Sequence, residues 1–227
     1  MMESNMGKSD KNIEQARSNM IEQQIRPAEV LDPRVLETIS ETPREAFVPE
    51  NYQDLAFSDI NVDIGHAEMM MKPIMEARIL QALNIQPGDK ILEIGTGSGY
   101  LTALLAKLGG HVESVEIDPE IHSQAKTRLS NQGITNVTLL EGDASQGWNQ
   151  NESFDVIAVT GSFPILPESF QKQLTVGGRM AVIVGQSPVM EALLITRAAE
   201  DQWITQALFE TDFPALRNVE QPQAFIF

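Results

Sequence analysis

Apolar residues recur at helical spacing from Asn12 to Ile25, at Ile13, Ala16, Met20, Ile21 and Ile25, before Pro27 stops the run. Asp32-Pro33 opens the next helix: an Asp suits the N-cap and a Pro the first turn. Val35, Leu36 and Ile39 give it a buried stripe that ends at Thr42-Pro43. Residues 12–60 are therefore predicted as a helical, loop-rich annex, preceded by a disordered tail over residues 1–11. Pro73 begins a further helix whose inner face is Ile74, Ile79, Leu80 and Leu83, ending before Gln86-Pro87-Gly88.

The rhythm then changes. Short apolar strands at 90–94 (KILEI), 111–117, 136–141, 154–160 and 179–184 are separated by helical stretches at 100–108, 119–132 and 165–174. This alternation predicts an α/β fold, a doubly wound and mostly parallel sheet with helices on both faces. Beyond Gly185, MEALLITRA and WITQALFETDF read as antiparallel strands that finish the sheet, in an order the pattern leaves open. Residues 61–227 form the main domain on this reading, packed with the annex into one unit. One stretch fits neither period: Ile64 to Pro73, IGHAEMMMKP, is neither a helix stripe nor a strand alternation.

Length and charge narrow the function. A chain of 227 residues buries a sizeable core without cross-links. With 16 basic and 32 acidic residues the net charge is −16, which repels phosphate backbones and anionic lipid, so neither nucleic acid nor membrane is expected as partner. The absence of cysteine excludes disulfides, a thiolate nucleophile and a Cys-based zinc site. The polar N-terminus carries no apolar signal segment, and a soluble, cytoplasmic protein is expected.

The run Gly95-Thr96-Gly97-Ser98-Gly99-Tyr100 joins the first strand of the alternation to its helix. Glycine accepts positive φ and lets a ligand approach the backbone, while the helix that follows presents free N–H groups. Glu116 ends the second strand 21 residues after Gly95, where a carboxylate can accept from a ribose diol, and Asp143 follows the third strand, where a side chain can meet an adenine edge. Ligands of open α/β sheets bind at these carboxyl ends. A dinucleotide and S-adenosyl-L-methionine both suit the layout. The dinucleotide fingerprint GxGxxG would need glycine where Tyr100 stands, which favours S-adenosyl-L-methionine. Thr160, at the end of the fourth strand, is expected to face the same pocket.

These residues carry a family resemblance. PREAFVPE (43–50), IGHAEMMMKP (64–73), GDKILEIGTGSGYLTALLA (88–106), VESVEID (112–118), NVTLLEGDASQGW (136–148), FDVIAVTGSFPILP (154–167) and the terminal FIF resemble the protein-L-isoaspartate O-methyltransferases over about 200 residues, from Met20 onward. The resemblance implies a Rossmann-like methyltransferase fold. It implies S-adenosyl-L-methionine held at Glu93, the Gly95 to Tyr100 turn, Glu116, and Asp143 with Ala144. It implies a protein or peptide substrate with isoaspartyl residues, whose α-carboxylate receives the methyl group so that the ester can collapse to a succinimide. Whether the chain is a monomer or a homodimer stays open.

The odd segment departs from the family, where it runs IGxGQTISQP. Ala67 stands for Gly, Glu68 for Gln, Met69 for Thr, Met71 for Ser and Lys72 for Gln, so both catalytic-loop hydroxyls are replaced; Asp59 matches a family acid beside this loop and equally suits a cap. The reaction survives on paper, because a carboxylate of ordinary pKa about 3.5 is ionised at neutral pH and needs no general base. Glu68 adds a negative charge where the substrate carboxylate should land, with Lys72, Arg78 and His66 the candidates to balance it. His66 otherwise shapes the loop. The methionines are expected to pack over the adenosine and the neighbouring helix, flexible thioethers filling an irregular gap. A rebuilt pocket for a less polar acceptor and a module that binds without turnover are the competing readings.

Overall fold

The computed structural model describes residues 3–149 and 151–222. Residues 1 and 2 of the expected tail and the terminal FIF lie outside the described residues. Helix α1 (Glu3–Met20) starts well before the predicted Asn12, because the polar segment ESNMGKSDK carries no apolar stripe for periodicity to detect. It ends earlier than predicted too. The chain widens into a π-helical turn at Ile21–Ile25 and then a 3₁₀ turn at Arg26–Ala28, since Pro27 supplies no N–H for an α-helical bond. Helix α2 (Pro33–Glu41) has the predicted cap, with Arg34 N–H donating to Asp32 Oδ1 at 2.8 Å.

IGHAEMMMKP forms a hairpin that the pattern did not predict. Strand β1 (Val62–Gly65) pairs antiparallel with β2 (Glu68–Met70) across His66 and Ala67, whose φ values are 58° and 64°. A two-residue hairpin turn with positive φ at both central residues is normally supplied by Asn-Gly, and His-Ala gives no such signal. Helix α3 (Pro73–Leu83) follows directly, as predicted.

The main sheet has the order β5-β4-β3-β6-β7-β8-β9. Strands β3 (Lys90–Ile94), β4 (His111–Glu116), β5 (Val137–Glu141), β6 (Phe154–Phe163) and β7 (Leu174–Gln186) run parallel; β8 (Val189–Ala199) and β9 (Gln202–Thr211) are antiparallel hairpin partners. Helices α4 (Tyr100–Leu108), α5 (Pro119–Asn131) and α6 (Glu168–Lys172) fill the connections. Helix α6 is shorter than the predicted 165–174 because Pro167 holds its N-cap position and β7 already begins at Leu174, so β7 is longer than the predicted 179–184. Chain order leaves β3 in one direction toward β4 and β5 and in the other toward β6 and β7. The carboxyl ends of β3 and β6 therefore flank the switch point where doubly wound sheets open a crevice.

One apolar cluster runs from annex residues Met20, Ile25, Val35, Ile39 and Phe47 through Leu80 and Leu104 to Ala181 on the sheet. At its centre lies Arg44, fully buried. Its Nε donates to Ala56 O at 2.9 Å, one Nη to a Glu76 carboxylate oxygen, and the other to Met71 O at 2.6 Å, while the guanidinium carbon sits 4.9 Å from the Tyr100 ring centroid. Arg44 thus ties the annex to α3, the loop after β2 and the helix behind the glycine turn.

Two stability outcomes follow from these local geometries. Replacing Arg44→Met leaves the Glu76 carboxyl and two carbonyls buried without donors, and a loss of about 3–5 kcal/mol in urea unfolding is expected. Ala67→Gly removes a left-handed side chain and should stabilise by about 1 kcal/mol; an unchanged or lowered urea midpoint would contradict the strained turn.

Candidate active site

The backbone between β3 and α4 passes through three left-handed glycines, Gly95, Gly97 and Gly99, with φ of 93°, 54° and 86°. Gly95 has a second reason to be glycine: a Cβ there would lie 2.3 Å from Thr160 Oγ1. That hydroxyl stands 2.9 Å from Ile94 O and 2.5 Å from Gly95 O, tying the tip of β6 to the turn. The turn, the tips of β4 and β5, the β1–β2 hairpin and the segment 213–217 enclose a cleft that is partly open to solvent.

Five of the cofactor residues named from sequence meet in this cleft: Gly95, Gly97, Glu116, Asp143 and Ala144. Glu116 Oε2 accepts from Gly97 N–H at 2.9 Å and Oε1 from Asp118 N–H at 3.0 Å. Each carboxylate oxygen has a further lone pair, so two hydroxyls can still be accepted. Asp143 accepts from Ser145 N–H at 2.9 Å and from Asn218 Nδ2 at 2.8 Å. Partial burial pushes its carboxyl up, but the hydrogen bonds from the Ser145 backbone, Asn218 and the Ser145 hydroxyl outweigh this and hold it below the usual carboxylate range.

Thr96, Ser98 and Met71 line a smaller adjoining cavity together with Met69 and Met70. Met69 also lines the main cleft, whereas Met70 and Met71 are buried in the apolar cluster. The three thioethers therefore wall the space beside the glycine turn and do not present a polar acceptor subsite.

Four residues named from sequence do not line either space. Tyr100 is buried with its ring edge-on to Phe47 at 5.5 Å and beneath Arg44, because the first turn of α4 faces the annex. Gly99 turns the chain against Ala125 and Leu129 of α5. Asp59 caps α3, accepting from Ile74 N–H at 3.2 Å. Glu93 stands behind the turn, fully buried, with Oε2 accepting from the Thr102 hydroxyl at 2.5 Å and the Ser114 hydroxyl at 2.6 Å, and Oε1 without a partner. Burial pushes its carboxyl up to about 8, against the bonds from Ser114 and Thr102, with the Glu116 and Glu76 carboxylates pushing the same way. Ser114 passes the network on to the Thr96 hydroxyl at 2.6 Å, so Glu93 buttresses the turn.

The counter-charge to Glu68 comes from elsewhere than expected. Arg78 donates to Leu208 O and stacks on Phe209, and Lys72 Nζ lies 3.8 Å from Asp59. Arg217, unnoticed in the sequence, folds back from beyond β9: its Nε donates to Glu68 Oε1 at 2.7 Å, Nη1 to Asp118 Oδ2 at 3.2 Å and Nη2 to His66 O at 3.2 Å. His66 shapes the loop, its ring nitrogens 3.0 Å from Asp118 Oδ2 and 3.0 Å from Glu120 Oε2 at the start of α5.

Known proteins resemble this chain in sequence and in fold. The family model described as protein-L-isoaspartate(D-aspartate) O-methyltransferase matches residues 15–221. A protein-L-isoaspartate O-methyltransferase of Protochlamydia amoebophila is 39% identical over 202 residues, covering 88% of this chain and 96% of its own. A solved protein-L-isoaspartate O-methyltransferase superposes with a TM-score of 0.76 at 26% identity over 88% of this chain and 65% of its own length. A Plasmodium falciparum structure described as a protein of this kind in complex with S-adenosyl-L-homocysteine has the same fold, with a TM-score of 0.76 at 22% identity over 88% of this chain and 98% of its own.

The buried Glu93 has a pH signature. Folded Glu93 keeps its proton up to about pH 8, while the unfolded residue loses it near 4.5, so its stabilising contribution is complete below pH 4.5 and lost as pH rises through 8. Between pH 5 and 8.5 the protein should lose more unfolding free energy than its Glu93→Gln variant. Equal slopes in urea titrations at these pH values would place an ionised carboxylate at that position.

Proposed function

The chain belongs to the protein-L-isoaspartate(D-aspartate) O-methyltransferase family, and on that premise we propose that it transfers a methyl group from S-adenosyl-L-methionine to the α-carboxylate of L-isoaspartyl residues in proteins and peptides. The observation that carries this reading is the cleft at the switch point, where a left-handed glycine turn, Glu116 and Asp143 converge from three successive strand tips.

The residues fit an adenosyl group bearing a positive charge. Glu116 has free lone pairs for a ribose diol, and Asp143 and Ala144 border the neighbouring space at the end of β5. The close approach at Gly95 leaves no room for a side chain between the turn and Thr160. Among the cleft-lining residues the acids Glu68, Glu116 and Asp143 outnumber the single cation Arg217, a balance that favours a sulfonium over a neutral thioether. When bound, S-adenosyl-L-methionine supplies an electrophilic methyl group and a neutral leaving thioether.

The chain's own contribution is alignment. The acceptor carboxylate is ionised at neutral pH, so no residue has to remove a proton. Holding acceptor and donor in line accounts for up to roughly 7–11 kcal/mol of barrier lowering in well-oriented reactions. The hairpin does the holding on one side, with Met69 as an apolar wall. Its position is fixed by Arg44 on the Met71 carbonyl and by His66 on Asp118 and Glu120. Apolar packing around the reacting carboxylate strips water from it, which strengthens any charged contact that remains.

Incubation with a methyl-labelled donor and an isoaspartyl peptide should yield base-labile methyl ester, with none on the same peptide carrying ordinary aspartate. Absence of ester from folded, donor-loaded protein would refute the substrate assignment. Glu116→Ala should weaken donor binding, measured by calorimetry, by roughly 10- to 150-fold, the equivalent of about 1.5–3 kcal/mol for hydrogen bonds to a charged acceptor.

A further inference from the structure

We propose that Arg217 is the residue that receives the acceptor's carboxylate, and that Glu68 occupies its place on the guanidinium until the acceptor arrives. The inference rests on the reading above that the methyl acceptor is a carboxylate. Such a group needs hydrogen-bond donors in the cleft, and among the described residues lining it they are few. The Thr160 hydroxyl is engaged with the carbonyls of Ile94 and Gly95, the Ser145 N–H with Asp143, and the Gly97 N–H with Glu116. Met69 and Met71 offer none. Arg217 is the one cation in the lining.

Its geometry is that of a carboxylate receptor already holding a carboxylate. Glu68, on the hairpin strand that walls the cleft, sits on Nε at 2.7 Å. The guanidinium has five N–H donors, of which Glu68, Asp118 and the His66 carbonyl use three. The side chain is 37% exposed and Glu68 29% exposed, so a solute carboxylate can reach the pair and compete for it. Asp118 is 9% exposed and anchored at the N-cap of α5, accepting from Glu120 N–H at 3.0 Å and Ile121 N–H at 3.2 Å. Asp118 therefore keeps Arg217 in place while Glu68, on the two-residue hairpin, is the partner free to leave.

Methyl transfer gives the exchange a direction. A carboxylate oxygen forms the new bond to the methyl carbon, the carbon–sulfur bond breaks, and its electron pair stays on sulfur as a neutral thioether. The acceptor loses its charge in becoming an ester. A neutral ester holds a guanidinium less tightly than a carboxylate does, so Glu68 regains Arg217 and the product leaves.

The test combines kinetics with binding. Arg217→Ala should raise the KM for an isoaspartyl peptide tenfold or more, and Arg217→Lys by less, while the donor Kd from calorimetry stays within twofold; Glu68→Gln should lower the peptide KM several-fold. In binding to protein loaded with S-adenosyl-L-homocysteine, preference for the isoaspartyl peptide over its α-carboxamide analogue should collapse in Arg217→Ala. A purely structural role would not alter that preference. Unchanged discrimination in folded Arg217→Ala, a loss of donor rather than peptide affinity, or a raised peptide KM in Glu68→Gln would overturn the proposal. The binding arm needs no turnover, so a wild type that binds the carboxylate without forming ester counts against the reaction and not against Arg217.

Discussion

A single buried guanidinium, that of Arg44, sets the relative positions of the parts that make the cleft. It ends on a carbonyl of the annex, a carboxylate of α3, the carbonyl of Met71 after the hairpin and the ring of Tyr100 behind the glycine turn. A charge so far from water is tolerated only when it is well hydrogen-bonded, and here each of the three nitrogens donates to a different element while the Tyr100 ring lies against the guanidinium. The methionine wall and the donor-side turn are thus attached to one rigid point.

Charge in the cleft is arranged in two layers. The inner layer is acidic: Glu116 and Asp143 at the strand tips, with Glu93 protonated behind them. Neutral Glu93 lets a carboxyl serve as buttress without adding a third buried negative charge beside Glu116 and Glu76. The outer layer is the Arg217 cluster with Glu68, Asp118, His66 and Glu120, where both signs are present and solvent has access. A cationic donor and an anionic acceptor find complementary ground in different layers.

The strands of the sheet were legible because both faces are covered, so KILEI and FDVIAV are nearly continuous apolar runs. The glycine turn, Glu116 and Asp143 were legible because ligand sites in such sheets follow strand ends. Glu93 and Tyr100, which the resemblance implies as cofactor contacts, are buried behind the turn, since a motif does not say which way a side chain leaves the backbone: Glu93 reaches Thr102 on α4 and Tyr100 packs on Phe47 of the annex. The hairpin was hidden by a turn without glycine or asparagine and by methionines that show no alternation. Arg217 was invisible for a different reason: its partner lies 149 residues away, and nothing periodic marks the segment after β9.

That separation also bears on how the protein is made. The hairpin and the glycine turn leave the ribosome long before residues 213–217, and the far wall of the cleft, with Arg217, is the last part of the described crevice to be synthesised. A nascent chain can thus build most of its parallel sheet while still lacking a closed reaction chamber.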